Sequence, residues 1–275
     1  MDLSETEIKS KVLKGLFWKI LENGGAQGIQ FVIAIILARL LSPAEYGLVS
    51  IIMIFITIAN VVVQNGFSTA LVQKKHSDDT DFSSVFYFSL AIAAVMYAAL
   101  YASAPSIAGF YHNDVLVPIV RVLAVVLFPG AVISVQTAYV SRKMEFKGLF
   151  KATMVAVVIS GAASILMALR GMGVWAMVGQ QIAYYLALMT TLFMTVSWKP
   201  RLVFAMGRIS AMFSFGWKLL LAALLDTLFN NLYGLIMGKI YNEELLGAYN
   251  RGDQFPKLIV NNLGAAIQAV LLPAF

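Results

Sequence analysis

The strongest constraint on this chain is a set of continuous apolar runs, each long enough to matter. An α-helix needs about 20 apolar residues to cross roughly 30 Å of hydrocarbon. Eight runs of that kind lie at roughly 15–39, 44–65, 83–104, 115–138, 148–169, 173–197, 210–238 and 246–273. Short turns separate them, punctuated by Ser42-Pro43, Asp78-Asp79, Ala104-Pro105, Gly171-Met172-Gly173 and Lys199-Pro200. Barrel strands would alternate polar and apolar residues over about 10 positions, and these runs do not alternate. The fold class is therefore all-α, a polytopic transmembrane helix bundle with about eight spans. Composition agrees: 60% of the 275 residues are hydrophobic and 12% are charged, against about 25% charged in soluble domains.

The net charge of +6 does not call for nucleic acid, because its distribution follows membrane topology. Lys9, Lys11, Lys14, Lys74, Lys75, Arg142, Lys143, Lys147, Lys151, Lys199, Arg201 and Arg208 all fall on one side of the predicted bilayer, and only Arg39, Arg170 and Lys239 on the other. Cytoplasmic loops are enriched in Lys and Arg, so the N-terminus is expected in the cytoplasm. Residues 1–14 lack the apolar centre and cleavage site of a signal peptide. They read as a cytoplasmic arm.

An internal repeat is also visible. A shift of 199 to 200 residues aligns Trp18 with Trp217, Lys19 with Lys218, Arg39 with Lys239, and Gly47 with Gly247. Both copies start with aromatic-Trp-Lys on the basic side, cross, turn and cross back. A parallel six-helix repeat gives two lobes related by an axis along the membrane normal. The expected organisation is a first lobe at 15–200 and, at 201–275, the first two helices of a second lobe. The chain would then be a fragment of a longer protein.

Five cations, Lys19, Arg121, Lys218, Arg251 and Lys257, fall inside predicted spans. Charges there are expensive and usually face a cavity or a partner. On the first span, Lys19, Glu22, Asn23, Gln27 and Gln30 occupy one arc of about 140°. Gly24, Gly25 and Gly28 fall opposite. The stripe is expected to line a water-filled cavity while the glycines pack on the bundle. Lys19 snorkelling, or Glu22 merely pairing with it, are the bland alternatives. The seventh span places Lys218, Asp226, Asn230 and Tyr233 on one face, and the eighth has Asn250, Gln254, Lys257, Asn261 and Gln268 in a stripe, with Arg251 at its edge. Arg251 and Asp253 pairing at the outer surface is the alternative there. Pro129-Gly130 predicts a kink in the fourth span, Asn60 and Gln64 an interhelical hydrogen-bond pair, and Trp18, Trp175, Trp198 and Trp217 an interfacial belt.

No cysteine is present, and the two histidines, His76 and His112, are far apart in loops. No nucleophile elbow, phosphate loop, zinc signature or dinucleotide fingerprint occurs. No catalytic residue, metal site or cofactor is expected, and the short loops leave no room for a soluble catalytic domain.

The stretch LFWKILENGGAQGIQFVIAIILARLLSPAEYGLVS, the following QNGFSTALVQ, and LLGAYNRGDQFPKL with AVLLPAF resemble the bacterial Wzx-type flippases for lipid-linked oligosaccharides. These belong to the multidrug/oligosaccharidyl-lipid/polysaccharide superfamily, and the likeness is strongest to the branch exporting colanic and teichuronic-type polymers. LSPAEYGL and GAYNRGDQ are its most specific parts. The resemblance implies two six-helix lobes around a central cavity in the bacterial inner membrane. It implies a substrate, an oligosaccharide on undecaprenyl diphosphate, flipped to the outer leaflet for surface polysaccharide synthesis, with membrane lipid and polymerase or export machinery as partners. Carried onto this chain, Lys19, Lys218 and Arg251 would contact the diphosphate. Glu22, Gln30, Asp226, Gln254 and Asn261 would line the cavity or balance its charge. A cation-coupled multidrug antiporter of the same superfamily is the alternative. It would need an acidic cavity, whereas five intraspan cations face only Glu22, Asp226 and Asp253.

Overall fold

The computed structural model describes residues 5–74 and 77–253, and these are helical with short connections. Helix α1 spans Glu5–Leu40, α2 Pro43–Gln73, α3 Asp79–Tyr111, α4 Leu116–Leu123, α5 Leu127–Lys143, α6 Phe146–Leu169, α7 Val174–Thr195 and α8 Met206–Ile240. A ninth helix, α9, covers 243–253. Among the described residues six segments are long and apolar enough to span a membrane: Phe17–Leu40, Pro43–Gln64, Asp79–Tyr111, Leu116–Lys143, Phe146–Leu169 and Gly216–Ile240. The expected sixth span is α7, which has spanning length at 22 residues and is not among these six. Most of the expected eighth, including Gln254, Lys257, Asn261 and Gln268, lies outside the described residues.

Local sequence explains the boundaries. Ser42 caps α2 by accepting from the Glu45 amide, Glu45 returns the bond to the Ser42 amide, and Pro43 fills the first turn, where its missing N–H is no loss. Asp78 and Asp81 make the same reciprocal box at the start of α3. The third span was expected to stop near Ala104-Pro105; α3 runs through Pro105 to Tyr111. Proline removes one backbone bond without ending a membrane helix that its neighbours support. The fourth span is interrupted by a 3-10 turn at Ala124–Val126. This is the effect of Pro129, which has no N–H for the Val125 carbonyl and crowds it. Residues 5–14, expected as an arm, are the first turns of α1.

Three apolar clusters hold the bundle. One joins α2, α3, α4 and α7 around Ile52, Leu116, Ile119 and Leu123. A second joins α2, α3, α5, α6 and α7 at the basic end, around Leu71, Phe82, Val135 and Leu192. The third seats α1 on α6 and α7 through Ala26, Ile33, Leu37 and Val157. That last stripe corrects the expected orientation of α1. Gly24 and Gly28 have no neighbour within 4 Å of a would-be Cβ, and only Gly25 meets α6, at Met154 and Phe150. The apolar spacing 26, 29, 33, 37 wins the buried face, because it offers more area to bury than glycine does.

Helix α8 packs antiparallel along α2, with Phe213 stacked on Phe67 at one end and Gly238 against Ile51 at the other. The 200-residue shift read in the sequence recurs here. Helices α1 and α8 end at Leu40 and Ile240. Ser42 accepts from the Glu45 amide, and Asn242 accepts from the Leu245 amide. At the turn end the two copies meet backbone to backbone. A Cβ on Gly47 would overlap the carbonyl of Glu243, and one on Gly247 would overlap the carbonyl of Pro43. Residue 47 meets 243 and residue 247 meets 43. Such reciprocity is the signature of a two-fold contact.

Candidate functional site

Two polar cavities flank this pseudo-two-fold contact. The larger, about 420 Å³, is lined by Gln30 of α1, Tyr46 and Ser50 of α2, Ser160 of α6, Gln180 and Gln181 of α7, and by Asn250 and Arg251 of α9. The smaller, about 290 Å³, lies among α2, α8 and α9 and is lined by Thr57, Asn230, Asn231 and Gly234. Ser50 and Asn250, themselves 200 residues apart, line both. Gln30 and Ala34 of the first correspond to Asn230 and Gly234 of the second under the same shift. A third concavity of about 570 Å³ between α3 and α8 is apolar apart from Ser106, the Tyr111 hydroxyl and Lys239.

Arg251 brings a cation to the larger cavity. Its Nη2 donates to the Leu41 carbonyl at 2.7 Å, its guanidinium lies 4.3 Å from the centre of the Tyr46 ring, and its Nε is buried without a hydrogen-bond partner. The carbonyl and ring fix the group at the turn end. Gln30, from the expected α1 stripe, lines this cavity too.

The other expected residues lie elsewhere. Lys19 forms an ion pair with Glu22 at 2.9 Å. Glu22 is buried and accepts from Thr153 at 3.1 Å, so it ties α1 to α6 and does not line the cavity. Lys218 and Asp226 are exposed on α8. The three cations assigned to one diphosphate are therefore divided. The 22 residues from Lys19 to Leu41, beside which Arg251 sits, span about 33 Å at 1.5 Å per residue. Lys218 sits at the matching depth on α8. No single diphosphate reaches both levels in this conformation.

Other polar residues hold the bundle. Gln64 donates to Asn60 at 2.9 Å, Asn60 donates to the Tyr185 hydroxyl at 3.4 Å, and Gly130 makes room for both amides. Arg121 lies 4.2 Å from the Tyr101 ring centre. Trp198, expected in a belt, is buried among Phe82, Phe86 and Tyr139. At the basic end, Asp81 is buried and pairs with Lys74 at 2.7 Å and Arg208 at 3.1 Å. Arg201 pairs with Asp79 at 2.8 Å, and Arg208 also pairs with Asp78. The hydrogen bond from Arg208, aided by the Asp81 backbone, holds the Asp78 carboxyl down at about 2. The Ser83 and Ser84 hydroxyls accept from the Arg201 and Ala205 amides. The α7–α8 connection is thus clamped to the start of α3.

Sequence reasoning missed Gln180 and Gln181. Their signal was the adjacent amide pair itself, which is expensive in a helix facing lipid. Ser50 and Ser160 gave no signal, because each hydroxyl is satisfied by its own helix.

Comparison with known proteins agrees with this architecture. The chain is 24% identical over 264 residues to the succinoglycan biosynthesis transport protein ExoT of Rhizobium meliloti, covering 96% of this chain and 53% of that one. It is 27% identical over 272 residues to the teichuronic acid biosynthesis protein TuaB of Bacillus subtilis, covering 98% and 56%. It is 22% identical over 276 residues to the lipopolysaccharide biosynthesis protein WzxC of Escherichia coli, covering 98% and 55%. The chain spans about half the length of these relatives. Among solved structures, the inward-facing conformation of a multidrug resistance MATE family transporter of the MOP superfamily superposes with a TM-score of 0.56 at 16% identity, over 88% of this chain and 59% of that one. Residues 36–275 match the family described as polysaccharide biosynthesis protein, and this multi-pass membrane chain belongs to that family.

Proposed function

We propose that the chain is part of a flippase carrying undecaprenyl-diphosphate-linked oligosaccharide repeat units across the bacterial inner membrane, by alternating access and without chemical transformation. The observation that carries this reading is the cavity around Arg251 and its amides, set beside a two-fold contact between repeats. Rocking of one repeat against the other around a fixed site is how parallel-repeat transporters alternate. The Gly47–Gly247 contact closes one end, and the lobes at 15–200 and from 201 onward are the moving units. The basic clamp at the other end faces the cytoplasm, with the N-terminus on that side. The names of ExoT, TuaB and WzxC support polysaccharide synthesis as the setting. The likeness to a MATE transporter concerns the fold alone and gives the antiporter reading no weight.

The test is reconstitution of the full-length protein in liposomes with a fluorescently tagged undecaprenyl-diphosphate oligosaccharide. Protein-dependent movement of the tag between leaflets is expected. Its absence, with protein verified as folded and inserted, would overturn the proposal. A cytoplasm-active reporter should work when fused at the N-terminus and fail when inserted at Gly171.

A further inference from the structure

We propose that the 570 Å³ concavity between α3 and α8 holds one acyl chain of an anionic phospholipid, with Lys239 on its phosphate. The site is separate from the two polar cavities that share Ser50, and it does not depend on what the protein carries.

The groove is built from the last turns of two helices. Ile107 and Phe110 of α3 form one wall, and Leu235 and Ile236 of α8 form the other. Phe55 of α2 lies at its floor, its ring centre 6.5 Å from that of Tyr111. Gly238 lets α8 close up on the other two helices, since a Cβ there would meet Ile51 at 3.1 Å and Tyr111 at 3.2 Å. The stretch from Leu235 to Ile240 rises about 8 Å at 1.5 Å per residue. Helix α3 ends at Tyr111 and α8 at Ile240, at the end opposite the basic clamp, so the groove opens within the leaflet on that side. Among the described residues Phe110, Ile236 and Ile240 at its rim are 53%, 51% and 67% exposed.

Hydrocarbon alone would not make this a site. Lipid tails are as apolar as leucine, so any neighbouring chain could lie there. The cation at the mouth supplies the preference. Cations are depleted on the side away from the basic loops, and Lys239 is one of only three assigned to that side by the sequence. Its ammonium donates to the Phe110 carbonyl, lies 4.4 Å from the centre of the Phe110 ring and stands 3.5 Å from Nε2 of His112. These contacts hold it at the rim, and an ammonium has three donors, so capacity remains for a phosphate. Among the described residues no carboxylate lines the groove, and residues 254–275 contain neither Asp nor Glu. The acid nearest in sequence, Glu243, accepts from Asn113 at 2.9 Å. A cation at the helix end above apolar walls matches the order of a phospholipid, phosphate outside and chain beneath. Helices α3 and α8 belong to different repeats, so a lipid seated between them touches both.

The experiment is native mass spectrometry of the purified full-length protein with phosphatidylglycerol and phosphatidylethanolamine of identical chains. Wild type should retain phosphatidylglycerol about fivefold more tightly, the effect of one lysine beside an anionic lipid. Lys239→Gln should abolish that preference, and Lys239→Arg should keep it. Ser106→Phe, which fills the groove, should weaken both lipids. Arg39→Gln makes the same charge change at the matching place on α1, which does not line the groove, and should leave the preference intact. Thermal melting checks that each variant is folded. Equal retention of the two lipids by wild type would overturn the proposal. So would a preference that survives Lys239→Gln, or retention indifferent to Ser106→Phe, which marks annular lipid only. Undecaprenyl phosphate bound more tightly than phosphatidylglycerol, and lost in Ser106→Phe, would also overturn it, since that marks a groove for a prenyl chain.

Discussion

Gly47 and Gly247 give the sharpest test of the contact between repeats. A Cβ placed on Gly47 would lie 2.5 Å from the Glu243 carbonyl carbon, and one on Gly247 would lie 2.8 Å from that of Pro43. Ordinary carbon–carbon contacts sit at about 3.5–4.0 Å. The obstacle in both cases is backbone, so no side chain can swing aside. Gly47→Ala must therefore part the two turns by roughly 1–1.5 Å, and overpacking of this kind costs about 1–3 kcal/mol. Because each methyl meets the opposite copy at the same junction, Gly47→Ala with Gly247→Ala should cost less than the sum of the two singles. Melting of the purified full-length protein reads the stability. Cross-linking between Asn113→Cys and Glu243→Cys, whose native side chains are hydrogen-bonded at 2.9 Å, reads the gap, and both alanines should lower its yield. Wild-type melting together with wild-type cross-linking in either alanine variant would refute the packing argument. Additive single effects would refute the two-fold reciprocity.

Three further outcomes follow from named contacts. Asp81→Ala removes the buried carboxylate shared by Lys74 and Arg208, both of which are partly exposed, so a loss of about 1.5–3 kcal/mol is expected from its charged hydrogen bonds, read as lower melting temperature and lower membrane accumulation. Thr153→Val removes the α6 donor to the buried Glu22 carboxylate and should cost about 1.5–3 kcal/mol; if it melts like wild type, the α1–α6 tie is not made. Asp78 is held at about 2 against an ordinary 3.8. A carboxyl depressed in this way stabilises the fold fully above the unfolded value and loses that contribution as pH falls from about 4 through about 2. The melting difference between wild type and Asp78→Asn should thus be present at pH 5 and shrink below pH 4. It should be small, because the pair is solvent-exposed.

The spans were legible because hydropathy, capping residues and proline act locally. Ser42-Pro43 with Glu45 specifies the start of α2, and Pro129 breaks its helix one turn back, whereas Pro105, the same local signal, leaves α3 continuous because neighbouring helices support it. The repeat was legible as Gly47 and Gly247, though its reason needed the structure: glycine is required where two backbones touch. The orientation of α1 was misjudged. A polar stripe and a glycine stripe were both visible, but the contest with the apolar stripe through Ala26 and Ile33 is settled by what α6 presents. Glu22 pairing with Lys19 was foreseeable from the spacing of three, and its bond to Thr153, 131 residues away, was not. For the same reason Arg251 could be marked as unusual, yet its carbonyl anchor and aromatic floor come from residues 210 and 205 positions earlier.

The two-fold relation also separates scaffold from specialisation. Where both copies keep one kind of residue, local structure demands it: glycine at 47 and 247 where two backbones touch, and a side-chain cap at 42 and 242. Where the copies diverge in charge, symmetry demands nothing. Arg251 stands opposite Ile51, and Tyr46, which carries the guanidinium, stands opposite Leu246, buried in the core. An aromatic floor and a cation are thus paired across the contact on one side, while the other side fills the matching places with packed aliphatics. A fold that needed the arginine for stability alone would have reason to use it twice. Among the described residues Ile51 fills the matching place, so the two-fold contact itself does not demand the arginine, and Arg251→Gln is expected to lower the melting temperature less than Gly47→Ala.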